Sequence, residues 1–256
     1  MKVSLITACY NAEKTIGNAL ASVARQKGVE IEYLIMDGGS TDGTVAQIKA
    51  FAAQAQVIPS LTVVWESVRD KGMYDAINKG IRQASGDIVG ILNADDMLSD
   101  GSTLATIAAT FGPDVDATYG DIRFVRELGG RTVRYCSARR FRPWMFRFAV
   151  MVPHPSFYCR RELFAQFGGY SLDYRICADF ELVMRYLWKH RVRARYIPKC
   201  LVEMRLGGAS TAGLRSTVEI NREDLRALRA NGYWSCRPLI YLKYLFKIWG
   251  FVFRGN

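Results

Sequence analysis

The sequence predicts an α/β fold, in which a mostly parallel, twisted sheet carries helices on both faces and a helical segment follows at the C-terminus. Half of the 256 residues are hydrophobic, which is enough to build a large core. In the first half of the chain, short apolar runs alternate with segments of helical periodicity. Glycine-rich or acidic loops follow the apolar runs, as expected at the carboxyl ends of strands in a doubly wound sheet.

The first half of the chain is assigned from this alternation. Strands are predicted over 3–8, 31–36, 61–65 and 88–92, and helices over 12–26, 44–54 and 73–84. Asn11 is a residue type that favours the N-cap position, so we expect it to begin the first helix. A further helix is expected to start near Ser99 or Asp100.

The second half of the chain is less regular. Strands are predicted over 120–125 and 131–136, 195–197 forms another short strand, and helices span 179–190, 217–230 and 238–253. Gly129-Gly130 between the first two of these strands predicts a hairpin. We divide the chain into a main domain, 1–210, with halves at 1–100 and 101–210, and a C-terminal extension, 211–256.

Cysteine and histidine usage narrows the class of protein. The six cysteines include no C-x-x-C pair, and the two histidines make a His/Cys zinc site improbable. The opening MKVSLITACY is too short for the core of a signal peptide, and the chain lacks an apolar run of about 18 residues that could span a membrane. We therefore expect a cytoplasmic protein with free, mostly buried thiols.

The net charge of +11 is unevenly distributed. Residues 128–161 contain eight arginines and no acid, a pattern that attracts nucleic acid, phosphorylated substrates or an anionic membrane, or that forms a solvated surface without a partner. In the aromatic C-terminal segment, Lys243, Lys247 and Arg254 would share one side of a helix. That helix is interpreted either as lying in a membrane interface with its cations toward headgroups or as packing on the protein core.

Acidic residues follow three of the first four predicted strands. They are Asp37, the acids from Glu66 to Asp70, and the pair Asp95 and Asp96. Carboxylates at a strand end suit Mg²⁺ or Mn²⁺, although an aspartate there can also cap a helix. The chain lacks the G-x-G-x-x-G, P-loop and G-x-S-x-G motifs. From the residues alone the function stays open, at an acid-lined edge of an α/β sheet.

Four motifs resemble those of glycosyltransferase family two, a family of inverting enzymes with the GT-A fold. In order, they are VSLITACYN from Val3, DGGSTDGT from Asp37, DKGMYDAINKG from Asp70 and NADD from Asn93. Each falls where a strand is predicted to meet a loop. The resemblance implies a nucleotide-sugar-binding half over 1–100 and an acceptor and base half over 101–210.

The resemblance assigns residues to the donor. It implies that Thr7, Ala8, Tyr10, Asp37 and Asp70, together with Asn93, Ala94 and Asp95, bind the nucleotide-sugar, most simply a UDP-sugar. Asp95 and Asp96 would hold Mn²⁺ or Mg²⁺, which offsets charge on the leaving nucleoside diphosphate. Two departures from the family pattern stand out: Gly38 follows Asp37 where many members carry a second acid, and Asn93 replaces the first acid of the metal motif.

The resemblance also assigns the acceptor side. The segment ICADFEL matches a later family motif and gives Asp179 as the general base, with Glu181 as second choice. His154 would lie near the acceptor or the diphosphate, unless it only occupies a rigid turn between two prolines. Arg205 begins a segment, 205–210, that resembles a loop closing over the donor.

The family pattern also predicts the kind of reaction. The chain has neither the Q-x-x-R-W element nor the membrane helices of processive synthases, so a single addition is expected. The implied acceptor is a glycan linked to a lipid diphosphate, in polysaccharide biosynthesis. The enzyme would act at the anionic membrane surface on the inner face of the plasma membrane, and no nucleic-acid partner is expected. A nucleotidyltransferase and a non-catalytic glycan- or membrane-binding relative are the alternatives.

Overall fold

The computed structural model of the chain describes residues 1–207 and 214–244. Nine strands form one sheet. They are β1 (Lys2–Cys9), β2 (Glu30–Asp37), β3 (Leu61–Ser67), β4 (Ile88–Ile91), β5 (Met97–Leu98), β6 (Ala117–Val125), β7 (Thr132–Cys136), β8 (Tyr158–Arg160) and β9 (Ala194–Arg205).

Eight α-helices and three short helical turns complete the described part of the chain. The helices are α1 (Ile16–Ala24), α2 (Thr44–Ala55), α3 (Met73–Gln83), α4 (Thr103–Thr110), α5 (Glu162–Phe167), α6 (Ala178–Met184), α7 (Leu214–Ala230) and α8 (Arg237–Tyr241). The turns are two 3-10 helices, Pro143–Phe148 and His154–Ser156, and a π-helical turn, Arg185–Lys189.

The sheet has the order β3-β2-β1-β4-β8-β6-β9-β5, with β7 paired to the far half of β6. The first four strands are parallel, as predicted, so their carboxyl ends meet at one edge. Beyond β4 the sheet is mixed, because β8, β7 and β5 pair antiparallel to their neighbours while β9 runs parallel to β6. The predicted α/β class is confirmed, and the predicted hairpin joins β6 to β7.

Helices cover both faces of the sheet, and each face has its own apolar cluster beneath them. Leu5 of β1 contributes to the cluster under α1, α2 and α4, while its neighbour Ile6 contributes to the cluster under α3, α6 and α7. The alternation of successive side chains along a strand sends the two residues to opposite faces. The six cysteines are free, as predicted.

Three local predictions need correction. Asn11 does not cap the first helix: it has a left-handed φ of 48°, and α1 begins five residues later at Ile16. The helix predicted over 179–190 is α-helical only as far as Met184, and the π-helical turn Arg185–Lys189 follows. The short strand predicted over 195–197 lies near the start of a twelve-residue strand, β9, because pairing with β6 continues as far as Arg205.

Helices α7 and α8, which follow the predicted boundary at residue 210, pack on the apolar core of the preceding residues. Leu225 and Leu228 of α7 and Ile240 of α8 belong to the same apolar cluster as α3 and α6. Lys243 is buried, and its ammonium lies 2.7 Å from the carboxylate of Asp224. Lys243 therefore does not face lipid headgroups, while Lys247 and Arg254 lie outside the described residues. Within 1–207 and 214–244, no helix is both long and apolar enough to cross a bilayer.

Candidate active site

The carboxyl ends of β1, β2 and β3 meet in register at Cys9, Asp37 and Ser67. The Asp37 carboxylate accepts hydrogen bonds from the Ser67 hydroxyl at 2.6 Å and from the hydroxyl and backbone N–H of Ser40 at 2.5 and 2.9 Å. Burial by itself would raise the pKa of Asp37, but these donors hold it below its ordinary value. Asp37 is only 2% exposed, so it organises the loop from inside, and its carboxylate is not open to a ligand.

The first two motif loops are joined directly by hydrogen bonds. The Asn11 amide oxygen accepts from the backbone N–H of Thr41 at 2.9 Å, and the Asn11 N–H donates to the Ser40 hydroxyl at 2.7 Å. The left-handed backbone of Asn11, which asparagine tolerates, turns the chain toward this second loop. Tyr10, just before this turn, is 64% exposed at the end of β1. Its ring is thus available to stack on a planar base at this edge.

Gly38 and Asp70 explain why a second acid is missing after β2. A Cβ atom on residue 38 would lie 2.6 Å from Asp70 Oδ2, closer than van der Waals contact allows. A carboxylate there would also face the like charge of Asp70. The other Asp70 oxygen accepts from the Gly72 N–H at 2.8 Å, in the turn that leads into α3. Asp70 therefore fills the space that a side chain at position 38 would take.

Two residues assigned to the donor lie deeper in the protein than expected. Thr7 is fully buried, and its hydroxyl donates to the backbone carbonyl of Leu92 at 2.7 Å and is 2.9 Å from the Tyr33 hydroxyl. Its side chain ties β1 to the end of β4 and does not line the open edge. Ala8 is half-buried and packs against the apolar cluster under α3.

The fourth motif forms a tight turn after β4. The Asn93 side-chain amide donates to Asp96 Oδ2 at 2.8 Å, and the backbone N–H of Arg205 donates to Asp96 Oδ1 at 3.2 Å. Burial, followed by the charge of Asp95, raises the pKa of Asp96 to about 7 against the effect of these donors. Asp95 and Ala94 are half-buried. The Arg205 side chain is exposed, and residues 208–210 of the predicted closing loop lie outside the described residues.

The carboxylates of this turn fit a divalent cation in part. Asp95 and Asp96 supply hard oxygen donors, and a buried carboxylate with a raised pKa gains from a nearby cation. Among the described residues, no group of three or more His, Cys, Asp or Glu side chains is placed to hold a metal. Mg²⁺ is commonly held by one or two carboxylates and completed by substrate phosphates and water. The turn suits that type of site, and it does not form a complete protein cage.

Asp179 lies in the first turn of α6 and meets the third motif. The Tyr74 hydroxyl, in the first turn of α3, donates to the backbone carbonyl of Ile176 and lies 3.3 Å from Asp179 Oδ1. The Tyr74 ring stacks on Tyr170 at 5.5 Å between centroids. The Tyr170 hydroxyl is in turn 2.6 Å from Nε2 of His154.

His154 belongs to this network and is not a freely exposed turn residue. Burial lowers its pKa, and the nearby negative charge of Asp179 opposes that shift. Glu181, the second choice as base, is buried and differently engaged: its oxygens accept from the Arg185 guanidinium at 2.8 and 3.0 Å. This geometry favours Asp179 over Glu181 as the acid that could receive a proton.

Glu223 of α7 is a site residue that sequence reasoning missed. Its carboxylate accepts from the backbone N–H groups of Arg175, Ile176 and Cys177, each at 2.9 Å. Burial opposes ionisation, yet these three donors lower the pKa of Glu223 below its ordinary value. The segment that leads into Asp179 is therefore held by a helix from the C-terminal extension. No local pattern indicates the role, because the partners lie more than forty residues away.

Asn78 is a second missed residue, although it belongs to the third motif. Its side-chain amide donates to the Tyr170 carbonyl at 2.8 Å, and its oxygen accepts from the Tyr170 N–H at 2.9 Å. Gly169 leaves the space for this pairing, since a Cβ there would lie 2.5 Å from Asn78 Oδ1. Through Tyr74 and Asn78, α3 connects the open edge of the parallel strands to the surroundings of Asp179.

Comparisons with known proteins identify the family of the chain. The family model "Glycosyl transferase family 2" matches residues 4–167, from β1 to the end of α5. The chain belongs to this glycosyltransferase family.

Individual relatives add detail. Over 243 residues the chain is 30% identical to a "PGL/p-HBAD biosynthesis glycosyltransferase" of Mycobacterium bovis, covering 93% of this chain and 88% of the relative. The crystal structure of S. aureus TarS 1–349 in complex with UDP-GlcNAc superposes with a TM-score of 0.68 at 19% identity, over 98% of this chain and 73% of that one. A mannosyltransferase from Pyrobaculum calidifontis, in complex with GDP-Man and Mn²⁺, superposes with a TM-score of 0.63 at 18% identity, over 98% of this chain and 72% of that one. These structural matches confirm the GT-A-like fold.

Proposed function

We propose that this glycosyltransferase moves one sugar per reaction from a nucleotide-sugar, a UDP-sugar in the first instance, onto an acceptor hydroxyl with inversion at the anomeric carbon. One observation carries the proposal. The third motif, whose first residue Asp70 lies at the donor edge, continues into α3, whose Tyr74 hydroxyl contacts the carboxylate of Asp179. The donor loops and the candidate base are thereby fixed to one another by a single helix.

The donor is held at the carboxyl ends of β1 to β4. The exposed Tyr10 ring stacks on the nucleobase, and the loop built around Asp37 and Asp70 surrounds the ribose. Asp95 faces the diphosphate with Asp96 behind it, and both would hold Mn²⁺ or Mg²⁺. When bound, that cation supplies positive charge that stabilises the leaving nucleoside diphosphate.

In the transfer step, Asp179 takes the proton of the acceptor hydroxyl while the hydroxyl oxygen attacks the anomeric carbon. A new C–O bond forms on the face opposite the diphosphate, and the bond to the diphosphate oxygen breaks with its electron pair, which gives inversion. The Tyr74 hydroxyl fixes the orientation of Asp179. His154, kept neutral by its lowered pKa, stays a hydrogen-bonding group beside the acceptor.

We further propose that the acceptor is a glycan, carried on a lipid diphosphate, in polysaccharide biosynthesis, at the anionic inner face of the plasma membrane. The basic residues of 128–161 support this proposal. Cations on a protein surface attract anionic lipid and diphosphate alike.

The test separates binding from chemistry. Purified protein is mixed with UDP-sugars or GDP-mannose and Mn²⁺, and release of the nucleoside diphosphate is followed with and without EDTA. Thermal stabilisation by each donor reports binding independently of turnover. We expect Asp95→Asn to lose Mn²⁺-dependent stabilisation, and Asp179→Asn to keep it but lose about a thousandfold or more in kcat.

The matched control is Asp173→Asn. Asp173 is an exposed acid six residues before Asp179, and its carboxylate accepts a hydrogen bond from the neighbouring Ser171 hydroxyl. It is expected to behave as the wild type. Full turnover in Asp179→Asn would remove Asp179 as the base. If the wild-type protein bound a donor but released no nucleoside diphosphate with any nucleotide-sugar, with or without Mn²⁺, it would instead be a non-catalytic relative.

A further inference from the structure

Three segments of the chain are rich in cations and contain no acid. Residues 128–161, 182–202 and 225–244 together hold 18 of the 35 lysines and arginines and none of the 24 acidic residues. They are far apart in the sequence, so any shared surface is a product of the fold. Acids from outside the segments pair with five of these cations, namely Arg160, Arg185, Arg193, Lys199 and Lys243. The other cations of the segments, which outnumber these five, leave an excess of positive charge.

The fold brings part of each segment together. Trp188, in the π-helical turn, stacks on Tyr233 just after α7, with ring centroids 3.8 Å apart. The Arg147 guanidinium lies 5.8 Å from the Trp188 ring, and the Ser235 hydroxyl donates to the Arg147 carbonyl at 2.7 Å. The 3-10 helix Pro143–Phe148, the π-helical turn and the corner between α7 and α8 therefore form one continuous surface, which we call the basic-aromatic face.

Tryptophans on this face project into solvent. Trp144 is 54% exposed and Trp234 is 70% exposed, which is unusual for the largest apolar side chain. The same face contains a cavity of about 530 Å³, which is lined by Pro143, Trp188, Lys189, Arg191, Tyr233 and two aliphatic residues. The face thus combines exposed indole rings with a recess that carries two cations.

We propose that the basic-aromatic face docks on an anionic phospholipid bilayer, with Trp144 and Trp234 inserted at headgroup level and the arginines beside phosphate. Indole rings partition favourably to the bilayer interface, and each cation near an anionic leaflet adds attraction. The proposal rests on the membrane location included in the proposed function. It assigns the membrane contact to the basic-aromatic face and not to the cationic side of the C-terminal helix that the sequence predicts. Lys243 of that side is buried against Asp224.

The face connects structurally to the candidate base. The Phe146 ring of the 3-10 helix contacts Phe180, the residue after Asp179, at 5.7 Å between centroids. The element that carries Trp144 therefore packs directly against α6. An enzyme docked in this way holds α6 close to the lipid surface from which a lipid-linked acceptor arrives.

Sedimentation with vesicles of phosphatidylcholine and phosphatidylglycerol, at about 0.1 M NaCl, tests the proposal. The full chain is expected to bind these vesicles and to bind pure phosphatidylcholine vesicles far more weakly. Trp144→Ala and Trp234→Ala are each expected to weaken binding about tenfold, and Arg147→Gln about fivefold. Matched controls away from the face are Val57→Ala, an exposed apolar residue after α2, and Arg82→Gln on α3; both should bind as the wild type does.

Several results would overturn the proposal: no binding to anionic vesicles, unchanged binding by the double tryptophan variant, or tighter binding to duplex DNA than to vesicles. Unfolding temperatures of the variants verify that they fold. Failure of this inference is distinguishable from failure of the proposed transfer reaction. The inactive Asp179→Asn variant should still bind vesicles, while Trp144→Ala should still release nucleoside diphosphate with a soluble acceptor.

Discussion

Glu223 offers the sharpest test of how the candidate base is positioned. In Glu223→Gln the side chain keeps its length but loses its charge. One amide oxygen can still accept from the neighbouring N–H groups of Ile176 and Cys177, while the new NH₂ group faces the N–H of Arg175. The variant therefore loses charge assistance on three hydrogen bonds and places two donors against each other.

The magnitude follows from those contacts. A hydrogen bond to a charged group contributes about 1.5–3 kcal/mol, and Glu223 is partly exposed, which weakens each bond. We expect Glu223→Gln to lower the free energy of unfolding by about 2 kcal/mol. If about 1.4 kcal/mol of this is lost in the segment that carries Asp179, kcat falls about tenfold. The KM for the donor should change little, because the donor loops lie on other elements.

The pH dependence has a definite sign. The pKa of Glu223 is lowered in the folded protein relative to an ordinary value of 4.5, so its stabilisation is complete above that value. It is lost as pH falls through the folded pKa. The difference in unfolding free energy between wild type and Glu223→Gln should thus be constant at neutral pH and shrink below about pH 4.5.

Urea unfolding and nucleoside diphosphate release measure the two effects. Glu219→Gln, one turn earlier on α7, is the matched control, since the Glu219 side chain is partly exposed and its ion pair with Arg175 is long, at 3.9 Å. It should alter neither quantity by more than a few tenths of a kcal/mol. Equal stability and equal kcat for wild type and Glu223→Gln would refute the positioning argument.

Two further predictions concern stability. Gly90→Ala places a Cβ 2.0 Å from a ring carbon of the buried Tyr158, so we expect the free energy of unfolding to fall by at least about 3 kcal/mol and the Tm by about 10 °C. Gly112→Ala, with nothing within 4 Å of its Cβ, is the control in calorimetry. An unchanged Tm for Gly90→Ala would contradict this packing. Lys243→Met removes the partner of buried Asp224 and should cost about 3 kcal/mol near neutral pH. Because burial already raises the pKa of Asp224, that cost should shrink in acid as Asp224 is protonated. The double variant Lys243→Met with Asp224→Leu should recover most of the lost stability. A cost that does not depend on pH in chemical denaturation would contradict this account.

Local sequence patterns were sufficient for the donor half of the fold. Apolar runs of strand length, glycine-rich loops and amphipathic helices placed β1 to β4 and α1 to α3 within a few residues, because each signal lies within a single element. The same signals fixed the order of the motifs along the open edge, and the parallel pairing of these strands confirms that edge. The six cysteines are free, as predicted.

Burial and long-range partners could only be decided in the folded chain. The sequence suggests that Asp37 is an exposed ligand, but Ser40 of the following loop and Ser67 at the end of β3 donate hydrogen bonds to its carboxylate. Lys243 reads as a surface cation until α8 packs on α7 and brings it to Asp224.

The sequence by itself determined the alternation of strands and helices and the residue types at the open edge of the sheet, because neighbours in the chain encode both. Tertiary structure decided which of those residues face a ligand and which support the loop. It also decided that Glu223, remote in sequence, holds the segment before Asp179. The physical reason is that a carboxylate's role depends on the donors, charges and water around it, and folding assembles these from distant parts of the chain.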